Sequence, residues 1–305
     1  MQESKDKEPY FYSNRKHISF LTVTLNVVKA IKIPEYRTKY SKHEYSQHQL
    51  LTLIIFKEYM GMRYRQFKDI LELIGDIKPV LGISKIPHYS TLCKFSHRLS
   101  SVLISQVLKK VTTLFYRSKG RISTIAIDST GFPTSYFSYY YSIRAKKDRK
   151  GFLKASIAID TKNQTILAVK ITKNRQHDTQ HVKSLLRNAS RLKMANYYVL
   201  DKGYDSEAIH RQIRLDLKAI SLIPIRDWHA EYVGGKFRKE MVNNFDRAKY
   251  GERNVVETVF SVVKRRFGGY VRGMQFRDQV KEIKLKCIAY SVDRFLKGQQ
   301  IPFVD

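Results

Sequence analysis

Four polar side chains near the carboxyl end of the chain are spaced so that they fall along one face of a helix. This polar row consists of a phenol, a guanidinium, a carboxylate and an ammonium, from Tyr250, Arg253, Glu257 and Lys264. At about 100° of rotation per residue, they lie within an arc of about 60°, opposite the valines between positions 255 and 263. An ion pair on a solvated helix would explain Arg253 and Glu257, but it would not require the other two. The spacing therefore predicts a functional site on a helix over residues 250–266.

Two aspartates follow short apolar runs that have the composition of buried strands. Asp128 ends the run STIAI, and Asp201 ends the run YYVL. Carboxylates at the carboxyl ends of strands lie where α/β sheets commonly build sites, but aspartate also often begins a turn after a strand. For either residue alone, both interpretations stay open. Asp160 has a similar context, but TKNQ follows it directly and favours a structural role in a hairpin turn.

Two aspartates and a glutamate from separate elements would form an oxygen-rich site. Mg²⁺ and Mn²⁺ prefer such carboxylate and water ligands. Two such ions about 4 Å apart can activate a water or a 3′-hydroxyl and stabilise the leaving oxygen of a phosphodiester. Arg253 would hold neighbouring phosphates through its forked guanidinium, and Lys264 would hold them as a point charge.

The charge of the chain indicates a polyanionic partner. Its 305 residues include 57 Lys and Arg against 27 Asp and Glu, which gives a formal net charge of +30. Neutralising phosphates releases counterions, so nucleic acid is the first choice. An anionic membrane surface usually needs a basic amphipathic helix or a lipidation motif, and neither is evident. Charge alone does not separate a DNA-binding protein from an enzyme that acts on DNA.

The composition also excludes several classes of protein. A hydrophobic content of 43% argues against a disordered basic tail. The longest apolar run, Leu53–Phe56, is far shorter than the roughly 20 residues of a membrane span, and the start has no apolar signal core. Cys93 and Cys287 match neither a disulfide framework nor a zinc site. We expect a cytoplasmic, nucleoid-associated protein without structural zinc or membrane contact.

Apolar periodicity divides the chain into three regions. Residues 1–45 are predicted to be a basic N-terminal arm, and residues 46–119 a set of short helices. These helices resemble a helix-turn-helix DNA-binding bundle, although a plain helical packing unit is about equally compatible. Residues 120–305 follow the order β-β-β-α-β-α-β-loop-α, which predicts an α/β domain with a mixed sheet flanked by helices. The predicted loop covers residues 227–249.

Several motifs of this sequence resemble those of a known family. The polar row has the spacing Y-x2-R-x3-E-x6-K, which is similar to the signature of DDE insertion-sequence transposases of the type-four and type-five families. The segments IAIDSTGF around Asp128, NRQHDTQHVKSLL at 174–186 and LDKGYDS around Asp201 resemble the other family motifs, in the expected order. IPHYSTLCKFSHRL resembles the helical DNA-binding region of the family less specifically. The resemblance covers about residues 45–295.

This resemblance implies a ribonuclease-H-like catalytic domain. It implies that Asp128, Asp201 and Glu257 bind two Mg²⁺ ions, with Mn²⁺ as the alternative metal, and that the rest of the polar row contacts phosphates at the transposon end. Members cleave double-stranded DNA at terminal inverted repeats and join the freed 3′-hydroxyl to target DNA, generally as dimers, so we expect a homodimer on DNA. Some relatives carry a large β-rich insertion between the second aspartate and the glutamate. The interval here is short, and packing or surface anchoring is expected for Trp228.

Two other functions remain open at this point. One is a ribonuclease-H-fold nuclease without strand joining, and the other is a catalytically silent DNA-binding protein. All three acidic positions are filled, which counts against the silent protein. A role for His177 beside the metals is a further hypothesis, as is a DNA-tracking role for the basic segment Lys146–Lys150.

Overall fold

The first third of the chain forms a bundle of helices. The computed structural model describes residues 16–116, 118, 120–134, 151–173, 178–226 and 233–299, with the backbone alone at 178–180 and 299. Within the described residues, six helices precede the sheet: α1 (Lys16–Lys29), α2 (Gln47–Tyr59), α3 (Tyr64–Leu73), α4 (Ile77–Leu81), α5 (Tyr89–Arg98) and α6 (Ser101–Thr113). Ser46 and Gln49 form a capping box at the start of α2, and Ser100 caps α6. Inside the segment expected to be an arm, α1 buries Phe20 and Leu21 completely.

A five-stranded sheet occupies the middle of the chain. Its strands are β1 (Ile122–Pro133), β2 (Phe152–Asp160), β3 (Thr165–Lys173), β4 (Ala195–Leu200) and β5 (Ile220–Leu222). Their order across the sheet is β3-β2-β1-β4-β5. The first three strands are antiparallel neighbours, whereas β4 pairs parallel to β1 and β5 pairs parallel to β4. This arrangement confirms the predicted ribonuclease-H-like fold class, with a mixed sheet flanked by helices and preceded by a helical region.

The two faces of the sheet pack against different helices. One face, with Ile125 and Ile127, contacts α7 (Asp178–Leu192) and α8 (Glu207–Arg211). The other face, with Ala126, belongs to the larger core that includes the N-terminal and C-terminal helices. Because side chains alternate along a strand, Asp128 lies on the same face as Ala126.

The final third of the chain is helical. It contains α9 (Lys236–Asn243), α10 (Arg247–Tyr250), α11 (Asn254–Phe267) and α12 (Phe276–Gln299). The long helix α12 packs between the N-terminal helices and the sheet, where the ring centroids of Phe115 and Phe295 lie 5.6 Å apart. Nζ of Lys284 donates to Oγ of Ser105 on α6. No helix in the described ranges is both long and apolar enough to cross a membrane.

The structure corrects three expectations about the elements. The segment 227–249 is not one irregular loop, because α9 and most of α10 lie within it. The predicted helix over 250–266 is composite: α10 ends at Tyr250, a 3₁₀ turn spans Gly251–Arg253, and α11 follows. Strand β1 does not end at Asp128 but continues to Pro133, since β2 stays paired with it to that point.

Candidate active site

The two candidate aspartates lie next to each other at the end of a parallel strand pair. The last paired residues of β1 and β4 are Ile127 and Leu200, so Asp128 and Asp201 come directly after them. Beyond this point β4 gives way to a 3₁₀ turn, whereas β1 continues because Asp128 is opposite Ile157 of β2. Asp201 thus follows a strand end, as the sequence predicts. Asp128 lies within strand β1, which remains paired with β2 at this residue but is no longer paired with β4.

Hydroxyl groups connect the two segments that carry these aspartates. The Oγ of Ser129, the residue after Asp128, lies 2.6 Å from the OH of Tyr204, which is in the turn after Asp201. The same Oγ lies 2.6 Å from the Oγ of Ser156 on β2. Tyr204 is 2% exposed, so its ring anchors the turn in the core. The sequence shows a Gly-Tyr pair after Asp201, but only the fold reveals that the tyrosine reaches β1.

The polar row approaches β1 from the helices on its second face. Tyr250 ends α10, Arg253 ends the 3₁₀ turn, and Glu257 lies in the first turn of α11. Lys264, in the last turn of α11, donates from Nζ to Oγ1 of Thr130 at 2.6 Å. The predicted row therefore does not lie on one continuous helix, because it crosses the junction between two helices and a 3₁₀ turn.

Arg253 forms the central contact of the site. Its Nη1 donates to Oδ2 of Asp128 at 2.7 Å, and its Nη2 donates to Oε1 of Glu257 at 2.9 Å. The side chains of Arg253 and Asp128 are 17% and 19% exposed, whereas that of Glu257 is 60% exposed. Burial tends to lower the pKa of Arg253, but Tyr250 and the nearby carboxylates raise it overall. The guanidinium thus joins one candidate aspartate to the candidate glutamate.

The surroundings of Asp128 change the pKa of its carboxyl group. Burial raises the pKa of Asp128, and the charges of Asp201 and Glu257 raise it further. The backbone N–H of Ser129 and the guanidinium of Arg253 act in the opposite direction. The charges of Asp201 and Glu257 are therefore close enough to act on Asp128.

The other two members of the row, Lys264 and Tyr250, are a partly buried ammonium and a partly buried phenol. Burial lowers the pKa of Lys264, whose Nζ also lies 5.4 Å from the ring centroid of Phe132. Burial raises the pKa of Tyr250, and Arg253 partly offsets this. Tyr250 packs against Phe245 with 5.1 Å between ring centroids. The contact with Phe132 thus holds Lys264 close to β1.

Three carboxylates are a donor set that suits Mg²⁺ or Mn²⁺. As they are placed, however, no group of three His, Cys, Asp or Glu side chains in the described part of the chain is arranged to hold a metal ion. The contacts of Arg253 supply a physical reason, because one oxygen each of Asp128 and Glu257 is bound to its guanidinium. The chemistry of the donors fits a divalent ion, and its binding would require these carboxylates to exchange partners.

An ion pair holds the segment between the second aspartate and the glutamate against the turn after Asp201. The guanidinium of Arg238 binds both oxygens of Asp205, at 2.8 and 2.7 Å. Glu207 accepts hydrogen bonds from the first backbone N–H groups of α9. Gly235 has a φ of +94°, and a Cβ there would lie 2.3 Å from Oε2 of Glu207. No local sequence pattern reveals this clamp, because its partners are about thirty residues apart.

The remaining sequence hypotheses have different outcomes. Asp160 is buried in the hairpin turn, where it accepts hydrogen bonds from Tyr116, Lys162 and Asn163. Its predicted structural role is confirmed. His177, Trp228 and the basic segment Lys146–Lys150 lie outside the described residues.

The comparison with protein families gives one match that spans the sheet and the site. Residues 119–292, more than half of the chain, match the family model described as the transposase DDE domain. The matched range includes the two aspartates and the whole polar row.

Proposed function

Because the chain belongs to the DDE-domain transposase family, we propose that it cuts and joins DNA as an active enzyme of the type-four or type-five subgroup. Its substrates would be the terminal inverted repeats of an insertion sequence, which it would cleave, and a target DNA, to which it would join the ends. One observation carries the proposal. Asp128 and Asp201 lie side by side after a parallel strand pair, and Arg253 connects Asp128 to Glu257.

The proposed ligands of the metal are Asp128, Asp201 and Glu257. Two Mg²⁺ or Mn²⁺ ions, when bound, would activate the attacking hydroxyl and stabilise the leaving oxygen. The raised pKa of Asp128 supports this assignment, because burial and neighbouring acids make its ionised form costly. A divalent cation would relieve that cost.

The proposed DNA contacts come from Tyr250, Arg253 and Lys264. Arg253 can hold two phosphate oxygens through its fork, and Lys264 supplies a single charge. Lys264 is positioned by Thr130, two residues beyond Asp128 on the same strand. Phosphates held there would lie beside the carboxylates. The net charge of +30 would bind the rest of the duplex.

We propose that the helical region over 46–119 binds DNA and that 120–305 is the catalytic domain, acting as a homodimer on double-stranded DNA. The arm assigned to residues 1–45 includes α1, which packs in the main core. The proposed arm, DNA-binding region and catalytic domain thus share one hydrophobic core, and the proposal assigns them different functions within one folded unit.

A cleavage and joining assay tests this proposal. The substrate is a labelled duplex made from the DNA on either side of this reading frame, where the proposal expects inverted repeats, and it is incubated with the full chain, Mg²⁺ and a target plasmid. We expect cleavage at the repeat ends and labelled products joined to the plasmid. Cleavage without joining would identify a nuclease, and binding without cleavage would identify a silent DNA-binding protein. Either result would contradict the proposal.

A further inference from the structure

The geometry points to a second role for Arg253: we infer that its guanidinium competes with divalent cations for the site carboxylates and transfers to DNA phosphate when the cations bind. This inference rests on the proposed function, since it describes how the same site is regulated. In this account Arg253 is an internal counter-ion that keeps the carboxylates neutralised before substrate arrives.

The contacts of Arg253 engage two of the three proposed ligands at once. The two bonds, at 2.7 Å to Asp128 and 2.9 Å to Glu257, leave from different nitrogens of the fork. The Nε is buried and has no hydrogen-bond partner within the described residues. The guanidinium of Arg253 therefore lies between the carboxylates of Asp128 and Glu257. It offsets the charge of the largely buried Asp128 and that of the exposed Glu257.

Neighbouring cations have partners outside this group of carboxylates. Nζ of Lys249 lies 2.6 Å from Oε1 of Glu252, and Arg265 donates to Oγ of Ser261. Arg266 pairs with Asp293 of α12. Unlike these three cations, Arg253 is bound to the site carboxylates Asp128 and Glu257.

A divalent cation would need the carboxylate oxygens that Arg253 engages. A dication and a guanidinium also repel each other, so both would not stay on the same oxygens. Phosphate offers the guanidinium a second forked partner of the same geometry. If cation binding frees Arg253 for phosphate, the divalent cation must increase the affinity for DNA. By linkage, DNA must increase the affinity for the cation by the same factor.

Mn²⁺ binding to the full chain without DNA tests the competition. Free Mn²⁺ is measured by electron paramagnetic resonance for the wild type and for Arg253→Gln, Lys249→Gln and Asp128→Asn. Lys249→Gln is the matched control, because it removes an equal charge from the same segment but one that is paired with Glu252. Circular dichroism melts verify that each variant is folded.

We expect Arg253→Gln to bind Mn²⁺ more tightly, on the order of tenfold, because it frees two carboxylate oxygens. Lys249→Gln should leave the affinity close to that of the wild type, and Asp128→Asn should weaken it. If Arg253→Gln binds Mn²⁺ no more tightly while Asp128→Asn weakens binding, the competition is refuted and the proposed metal site stands. If Lys249→Gln increases the Mn²⁺ affinity as much as Arg253→Gln does, the increase reflects the loss of any positive charge, and the competition is also refuted. If Asp128→Asn has no effect, the proposed metal site fails, and the inference fails with it.

A second measurement tests the transfer to phosphate. Fluorescence anisotropy gives the affinity for a labelled duplex with Ca²⁺ and with K⁺ at matched ionic strength. We expect Ca²⁺ to strengthen duplex binding by the wild type and by Lys249→Gln, and this gain to disappear in Arg253→Gln. An equal gain in Arg253→Gln would show that Arg253 does not couple the two ligands.

Discussion

At the scale of single residues, the site is built from side chains whose charges are held by specific partners on β1. Arg253 binds Asp128, and Lys264 binds Thr130, so the polar row contacts the strand at two points two residues apart. Both cations are partly buried, so each is only partly exposed to water. This arrangement explains why the row contains a forked donor next to the acids and a point charge further along.

Lys264→Ala should weaken binding to the end duplex and flatten its salt dependence. Loss of one phosphate contact reduces the slope of log K against log salt by about one unit. The measurement is duplex affinity at several KCl concentrations for the variant and the wild type. Parallel lines for the two proteins would contradict a phosphate contact by Lys264.

His210 should make the stability of the fold depend on pH. It is fully buried, its Nδ1 lies 2.7 Å from Oγ of Ser221, and burial lowers its pKa to about 4. Between about pH 6.5 and 4 the unfolded chain binds a proton that the folded chain excludes. The stability present above pH 6.5 should therefore fall by about 3 kcal/mol across this window as the pH is lowered.

Urea unfolding at a series of pH values measures this effect, with His210→Gln as the comparison. The difference in unfolding free energy between wild type and variant should shrink as the pH falls from 6.5 to 4. A difference that stays constant over that range would contradict a neutral, buried His210.

At the scale of elements, the site depends on how the turn after β4 is attached to β1. The hydroxyl of Ser129, which follows Asp128, contacts the hydroxyl of Tyr204 in the turn after Asp201. The next residue in that turn, Asp205, is bound by Arg238. The clamp, in turn, fixes α9 against the same turn. The distance between the two aspartates is thus set by side-chain contacts as well as by the sheet.

Tyr204→Phe should slow cleavage without weakening end binding. The change removes the hydroxyl that reaches Ser129 while keeping the buried ring, so one hydrogen bond of about 1 kcal/mol is lost. Tyr290→Phe is the matched control, because its buried hydroxyl donates to the backbone of Gln164, away from the aspartates. Both variants should lose similar thermal stability, but only Tyr204→Phe should lower the cleavage rate, by about fivefold to tenfold. Equal rates in the two variants would contradict a positioning role.

The elements also show which parts of the fold the sequence predicts. The β2–β3 hairpin follows from two apolar runs separated by the turn around Asn163, and the structure confirms it. The continuation of β1 could not be predicted, because Ser129, Thr130 and Gly131 lack the apolar pattern and are held by pairing with β2. Helix spacing placed the polar row on one face, but it could not show that Arg253 turns towards Asp128, which lies 125 residues earlier.

At the scale of the whole molecule, one continuous core joins the N-terminal helices, one face of the sheet and the C-terminal helix. Two lysines of α12, the buried Lys281 and the partly buried Lys284, illustrate why this helix is hard to predict. Lys281 pairs with Asp278 of its own helix and also donates to backbone carbonyls of α5, and Lys284 donates to α6, so distant parts of the chain help to satisfy both charges. A pattern based on charge alone places these residues on the surface.

A fragment over residues 120–305 should therefore fail to fold as an independent unit. Without α2 and α6, the contact surface of α12 would be exposed, and Thr112 could no longer donate to the backbone of Ile166 on β3. We expect the fragment to bind the dye ANS and to lack a cooperative thermal transition, whereas the full chain melts cooperatively. A cooperative melt of the fragment close to that of the full chain would contradict a shared core.

The central claim is that Glu257 and its two aspartate partners carry out DNA cleavage, and the most direct measurement compares two glutamates on one segment. Glu257→Gln removes a proposed ligand, whereas Glu252→Gln removes an acid bonded to Lys249 and Thr161. Both variants and the wild type are assayed for binding and Mg²⁺-dependent cleavage of the end-containing duplex. The account predicts that Glu257→Gln binds the duplex but does not cleave it, while Glu252→Gln does both. Cleavage by Glu257→Gln at the wild-type rate would contradict the account.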